Sequence, residues 1–148
     1  MANISNYGQV IGRLTKDVKI FTNSDGSRKV NLTVAAQDNF KSGKEQTKQT
    51  RFVPLEGFIR ADKQGNGVYD LMSQGDLVAV QYSVRNNNYT DKNGNPVYGI
   101  VLNIEDVQLM ESKSVTDARK ANKVAAAVAA EAEAEVAETE TNEEVPVQ

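Results

Sequence analysis

Four aromatic residues, Phe40, Phe52, Phe58 and Tyr89, lie near cations or turn formers in a chain of 148 residues. In RNNNYTDKNGNPVYG, Arg85 to Gly99, Tyr89 sits in a run of Asn, Asp and Gly ahead of Pro96, with Arg85 and Lys92 close by. Such residues tolerate left-handed backbone or preset a bend, so Asn86 to Pro96 reads as a solvated, mobile loop joining two strands. The stretch DNFKSGKEQTKQTR, Asp38 to Arg51, reads as a second long loop. Phe40 stands near its start, and Lys41, Lys44, Lys48 and Arg51 follow against a single Glu45. Bases stack on exposed rings, and Lys and Arg neutralise phosphates. Sequence-independent binding of a single strand needs this mixture. A duplex hides its base faces, so rings on flexible arms favour an unpaired strand.

What the chain lacks narrows the chemistry further. With no histidine it has no imidazole acid or base and none of the usual zinc ligands. With no cysteine it has neither disulfides nor thiolate metal sites. No paired-carboxylate constellation stands in their place, so we expect a binding protein that is not an enzyme and needs no cofactor or metal. No stretch approaches the length of a membrane span, and MANISNYGQV lacks the basic start and apolar run of a signal peptide. A cytoplasmic location with no membrane partner is the expectation.

The net charge of −3 conceals an asymmetry. Residues 1–110 hold 13 Lys and Arg against 11 Asp and Glu, whereas residues 111–148 hold 4 against 9. Seven Glu and no base fall in the last eighteen residues. A faintly basic body suits contact with polyanions, and the tail does not.

The elements that must position these residues are strands. Tyr7–Thr15 is followed by a short VKIFT and a turn at Asn23–Gly26. Lys29–Gln37 then alternates, with Val30, Leu32 and Val34 on one face. Thr50–Phe58 turns Val53 and Leu55 to the core, which places Thr50, Phe52, Pro54, Glu56 and Phe58 on the opposite face. Leu77–Arg85 has Val78, Val80, Tyr82 and Val84 inward, leaving Gln81, Ser83 and Arg85 outward, and Val97–Leu109 closes the set. Between the third and fourth long strands, Gly65 and Gly67 limit any helix to a short piece around Val68–Ser73. Five strands with one short helix in that place is the order of an all-β OB-fold, a Greek-key barrel. Residues 1–110 form that domain. Residues 111–148 form an Ala/Glu-rich tail: a helix opened by a capping box at Ser114 and Asp117, fraying into a disordered acidic end.

Each of these residues also has a plainer use. Phe52 and Phe58 fit packing against the short helix or a partner subunit as well as they fit stacking. Lysines in a loop, taken alone, read as a solubilising surface. Tyr89 and Phe40 have little apolar sequence around them to pack on, and their coincidence with cations in two loops favours binding.

The chain resembles the bacterial single-stranded DNA-binding protein family over residues 6–110. The resemblance rests on GRLTKD (Gly12–Asp17), VNLTVA (Val30–Ala35), KEQT (Lys44–Thr47), LMSQGDLVAV (Leu71–Val80) and YTDKNGNPVY (Tyr89–Tyr98), in that order and spacing. It implies an OB-fold that binds single-stranded DNA without sequence preference, usually as a homotetramer. Tyr89 and Phe40 fall where the family places stacking rings on its arms. Thr50 stands where a tryptophan is usual and Glu56 where a phenylalanine is usual, with Phe52 and Phe58 on the same face as substitutes. Arg51 falls near the family's subunit interface. The resemblance also implies an acidic tip that finishes with Ile-Pro-Phe and recruits replication and repair proteins. Here NEEVPVQ, Asn142–Gln148, lacks the final aromatic, a departure that suits a copy carried by a plasmid or phage.

The expectation is a protein that coats and protects unpaired DNA during replication, recombination, repair or plasmid transfer. Phe40, Tyr89, Phe52 and Phe58 stack on bases, and Lys41, Lys44, Lys48, Arg51, Arg85 and Lys92 contact phosphates. The protein self-associates, and the tail contacts replication or transfer proteins. The alternative is an OB-fold protein-interaction or assembly module whose nucleic-acid binding is incidental.

Overall fold

Val30, Leu32 and Val34 alternate with polar neighbours along the sequence. In the computed structural model all three are buried on one face of strand β3 (Arg28–Ser42). The structure describes residues 4–141, with side chains through Val136. Strand β4 (Thr47–Ile59) buries Leu55 and Ile59 and leaves Phe52 and Phe58 exposed, so strand parity sorts its side chains. Strands β1 (Gly8–Leu14), β5 (Leu77–Asn86) and β8 (Ile100–Leu109) complete a closed ring in the order β1–β5–β8–β4–β3–β1. β4 and β8 run parallel and the other neighbours antiparallel, giving a five-stranded mixed barrel of OB-fold type. The short β2 (Lys19–Thr22) adds to the edge of β3.

The interior holds Leu14, Leu32, Val34, Leu55, Val78, Val80, Ile104 and Val107 in one cluster, with Tyr82 packed against it. Closure depends on how closely β1 approaches its neighbours. A Cβ at Gly12 would lie on the Ala35 carbonyl oxygen and against the Val34 side chain. Two stretches far apart in sequence are stitched together where β1 ends. Gly75 donates to the Leu14 carbonyl (2.8 Å), and Gln74 N–H donates to the Asp17 carboxylate (2.8 Å). The Gln74 side chain donates to the Thr15 carbonyl and Arg13 to the Gly75 carbonyl. GRLTKD and SQGD are thus two halves of one hydrogen-bonded corner.

Several expectations are corrected. Asp38–Arg51 is no loop. β3 runs on to Ser42 and β4 begins at Thr47, so the two strands continue as a hairpin closed by Gly43–Gln46. Between β4 and β5 lies a five-residue 3₁₀ turn, Gly67–Leu71, rather than a piece around Val68–Ser73. The expected strand Val97–Leu109 is divided: β7 (Pro96–Val97) pairs with β6 (Tyr89–Thr90), and β8 starts only at Ile100. On β5, Val84 follows the core parity but is exposed. Ser83, expected outside, is buried, its hydroxyl held by Glu105.

The described residues after Glu111 form a second unit. It is one helix, α1 (Lys113–Thr141), whose first turn is closed by Val115 and Thr116 N–H donating to the Ser112 carbonyl. Ser114 therefore lies inside the first turn and is not the cap; the Ala-rich run carries the helix on to Thr141. NEEVPVQ lies outside the described residues. No described helix is long and apolar enough to cross a membrane.

Gly12→Ala should lower the stability of the barrel by about 1–3 kcal/mol, because backbone rather than a flexible side chain blocks the added methyl. Thermal denaturation reads this as a reduced Tm. An unchanged Tm would show that β1 can shift without cost.

Candidate nucleic-acid interface

The β3–β4 hairpin projects from the barrel as an arm. Gln37 pairs with Thr50, but the next partners are Lys41 and Lys48. Three residues, Asp38, Asn39 and Phe40, therefore face one, Gln49. This bulge re-aims the strand. Phe40 lies in it, 59% exposed. Asp38, also in it, holds Arg51 in an ion pair at 3.1 Å. Lys41 and Lys48 stand directly opposite each other in the ladder. Like charges so placed repel, and an anion between them would relieve it. Lys44 is exposed in the turn beyond.

The second arm is also structured. Asn86–Pro96, expected as a mobile loop, contains the two-residue strand β6, paired with β7 through Tyr89↔Val97 and Thr90↔Pro96. Its turn is organised by Asp91, whose Oδ1 accepts from the Asn93 and Asn95 N–H groups at 2.8 and 2.9 Å. Gly94 takes the left-handed conformation there, φ +81°. Tyr89 is 56% exposed, and Lys92 is exposed in the turn.

Where this arm leaves the barrel, Arg85 lies 3.6 Å from Glu105. Glu105 also accepts from Ser83 Oγ at 2.5 Å and from Asn103 Nδ2 at 3.0 Å. The Ser83 and Asn103 hydrogen bonds, with the Arg85 charge, hold its carboxyl below the ordinary carboxylate range. Its contribution to stability is therefore present above the usual carboxylate pKa and is lost as pH falls through the lowered one.

The outer face of the sheet joins the remaining residues in rows across the strands. Phe21 on β2, Lys29 on β3 and Phe58 on β4 are in register. The next row is Lys19, Asn31, Glu56 and, on β8, Asn103. Phe52 faces Ala35 farther along. Phe52 and Phe58 are 66% and 62% exposed, although Phe58 shares the lining of a cavity with Val68 and Tyr69 of the 3₁₀ turn. Beside Thr50 lies a cavity of about 420 Å³, lined by Ile11, Gly12, Ala35 and Leu77 among others.

The structure thus gathers Phe40, Lys41, Lys44 and Lys48 on one arm, Tyr89 and Lys92 on another, and Phe52 and Phe58 on the sheet between β3 and β8. Arg51 and Arg85 already have carboxylate partners. Phe21 and Lys29 were missed. VKIFT is too short for periodicity to stand out, yet pairing Ile20 inward with Val30 turns Phe21 outward. Tyr98 and Ile100, also missed, are exposed where the second arm joins β8. Among the described residues no acidic cluster is placed to hold a metal ion.

The family model described as "Single-strand binding protein family" matches residues 5–110, which takes in the barrel and both arms. Single-stranded DNA-binding protein 3 of Clostridium acetobutylicum is 32% identical over 114 residues, 76% of each chain. A single-stranded DNA-binding protein of Malacoplasma penetrans is 27% identical over 109 residues, 74% of this chain, which spans about half (53%) of that relative's length. Single-stranded DNA-binding protein 1 of Staphylococcus aureus strain MSSA476 is 27% identical over 108 residues, 73% of this chain and 67% of the relative. On the strength of that match, spread over strands, arms and hydrogen-bonded corner alike, the chain belongs to the single-strand binding protein family.

Proposed function

We propose that this protein binds single-stranded DNA without requiring a particular sequence, and coats and protects it during replication, recombination, repair or plasmid transfer. The observation that carries the reading is the first arm, where an exposed ring adjoins two lysines set opposite each other. A backbone phosphate between Lys41 and Lys48 converts their repulsion into two attractions, while the neighbouring base stacks on Phe40. Tyr89 and Lys92 repeat the pairing of ring and cation on the second arm. Phe52 and Phe58 offer stacking surface between them. Arg51 and Arg85 reach phosphates only in competition with Asp38 and Glu105.

Residues 1–110 act as the DNA-binding domain. Residues 111–148 act as an acidic tail that contacts replication or transfer proteins. The protein works in the cytoplasm as a homo-oligomer, and it catalyses no reaction.

Phe40→Ala and Tyr89→Ala should each weaken binding to a single-stranded oligonucleotide by about 1–3 kcal/mol, the usual worth of one base–aromatic contact. Because both rings are exposed, Tm should hardly move. A large fall in Tm with unchanged affinity would make them packing residues instead.

Salt dependence tests the cations. Three to five phosphate contacts give a slope of log K against log salt of about −2 to −3.5. Lys41→Ala with Lys48→Ala should flatten it by about 1.4, without loss of stability since a repulsive pair is removed. A slope near zero in the unaltered protein would favour the protein-interaction module.

A further inference from the structure

The proposed binding face carries a carboxylate where bases would lie. Glu56 projects from the outer side of β4, and Lys29 Nζ meets its Oε2 at 2.9 Å. Both side chains remain open to solvent, 45% exposed for Lys29 and 37% for Glu56. An exposed ion pair of this kind adds little to stability. A bare carboxylate on a DNA-binding face would repel the backbone, and Lys29 cancels that charge. What remains is a hydrogen-bonding group of fixed pattern.

Its surroundings match one base edge. Lys29 is directly across the ladder from Phe58, and Glu56 stands two residues before Phe58 on the same face. Twice the strand rise, roughly 6.6–6.8 Å, separates Glu56 from Phe58 along β4. A base lying on the Phe58 ring can therefore turn its edge toward the ion pair. That pair presents an ammonium donor followed by carboxylate oxygens, which can accept more than one bond. The Watson–Crick edge of guanine runs acceptor (O6), donor (N1–H), donor (N2–H), and complements this series throughout. Adenine, cytosine and thymine each offer only one donor nitrogen on that edge, so a carboxylate cannot engage them through two. In an unpaired strand the edge is open.

We propose that Glu56 and Lys29 read guanine beside Phe58, giving an otherwise sequence-tolerant binder a bias toward guanine-containing strands. This rests on the single-strand-binding reading above. It makes Glu56 and Lys29 specificity-determining residues, a role that stacking alone does not provide, since every base has a π-face.

The test is competition binding with three oligodeoxynucleotides of equal length: thymine only, alternating thymine and guanine, and alternating thymine and cytosine. The full chain is compared with Glu56→Gln, Glu56→Met and Lys29→Met, each checked for an unchanged thermal transition. The unaltered protein should favour the guanine strand over the thymine strand by a factor roughly three- to tenfold larger than Glu56→Met does. Glu56→Gln, which keeps one acceptor but adds a competing donor, should also lose most of the bias. Lys29→Met should lose part of it. If all four proteins bind the thymine strand and show the same guanine-to-thymine ratio, the assignment is overturned while single-strand binding stands. An equal gain for the cytosine strand would overturn the choice of guanine. If no oligonucleotide binds, the underlying reading fails as well.

Discussion

Strand β1 is hydrogen-bonded along both edges, to β5 through six residue pairs and to β3 through Arg13 and Leu14. That double pairing turns a curved sheet into a barrel, and it needs backbone to meet backbone at Gly12. Everything the protein presents outward depends on this closure. Closing the sheet removes the free edge of β1 and fixes the tilt of its neighbours. β3 and β4 can then run past the core, supported at one end. From Gln37 to Thr50 most side chains are exposed, so the first arm has almost no burial to stabilise it. Its order comes from the ladder and the rigid base below. Such a segment belongs to the least stable part of a fold, which suits the adjustable surface proposed for it.

The two arms deal with charge differently from the barrel. Near the barrel, the arginines are held: Arg51 by Asp38, and Arg85 by a Glu105 that Ser83 and Asn103 also fix. Their positive charge is largely balanced before any ligand arrives. At the tip of the first arm, Lys41 and Lys48 face each other. The repulsion is a cost in the free protein that vanishes when an anion binds, so part of the electrostatic gain is set up in advance. Phosphate binding should therefore concentrate where charges are unbalanced.

Much of the barrel was legible because burial and period act together. Val30, Leu32 and Val34, and Phe52 and Phe58 on the opposite sense, follow from strand parity once the strands are recognised. The arms were not legible, because Asn, Asp and Gly serve an open loop and a tight hairpin turn equally well. The hydrogen bonds from Asn93 and Asn95 to Asp91 separate the two only in three dimensions. The bulge at Asp38–Phe40 leaves no mark in the residue pattern, since it is a mismatch in length between paired strands. Parity misjudged Ser83 and Val84 because it reports direction and not cover. Val84 keeps the core parity but lies near the exposed end of β5, while Ser83 is buried with its hydroxyl held by Glu105 of β8. The helix start was misplaced by two residues because Ser112 and Ser114 are both competent caps, and the backbone decides between them.

The arrangement of rings explains why edge chemistry can matter on this face. Stacking draws on the faces of bases and discriminates weakly among them, so a surface paved with rings is indifferent to sequence. Here the rows across β2, β3 and β4 alternate in character: Phe21, Lys29 and Phe58 in one, Lys19, Asn31 and Glu56 in the next. Successive rows lie about one extended residue pair apart, roughly 6.6–6.8 Å. In the reading proposed above, a strand crossing them meets a ring and then a hydrogen-bonding group. The ring supplies affinity without choice. The polar row supplies choice at some loss of affinity, because a carboxylate gains only from a base that can donate to it. In that reading general coverage falls to the arms, where rings and lysines dominate, and discrimination to the rigid sheet. There the barrel fixes the register of Lys29 against Phe58, as the proposed reading of a base edge requires.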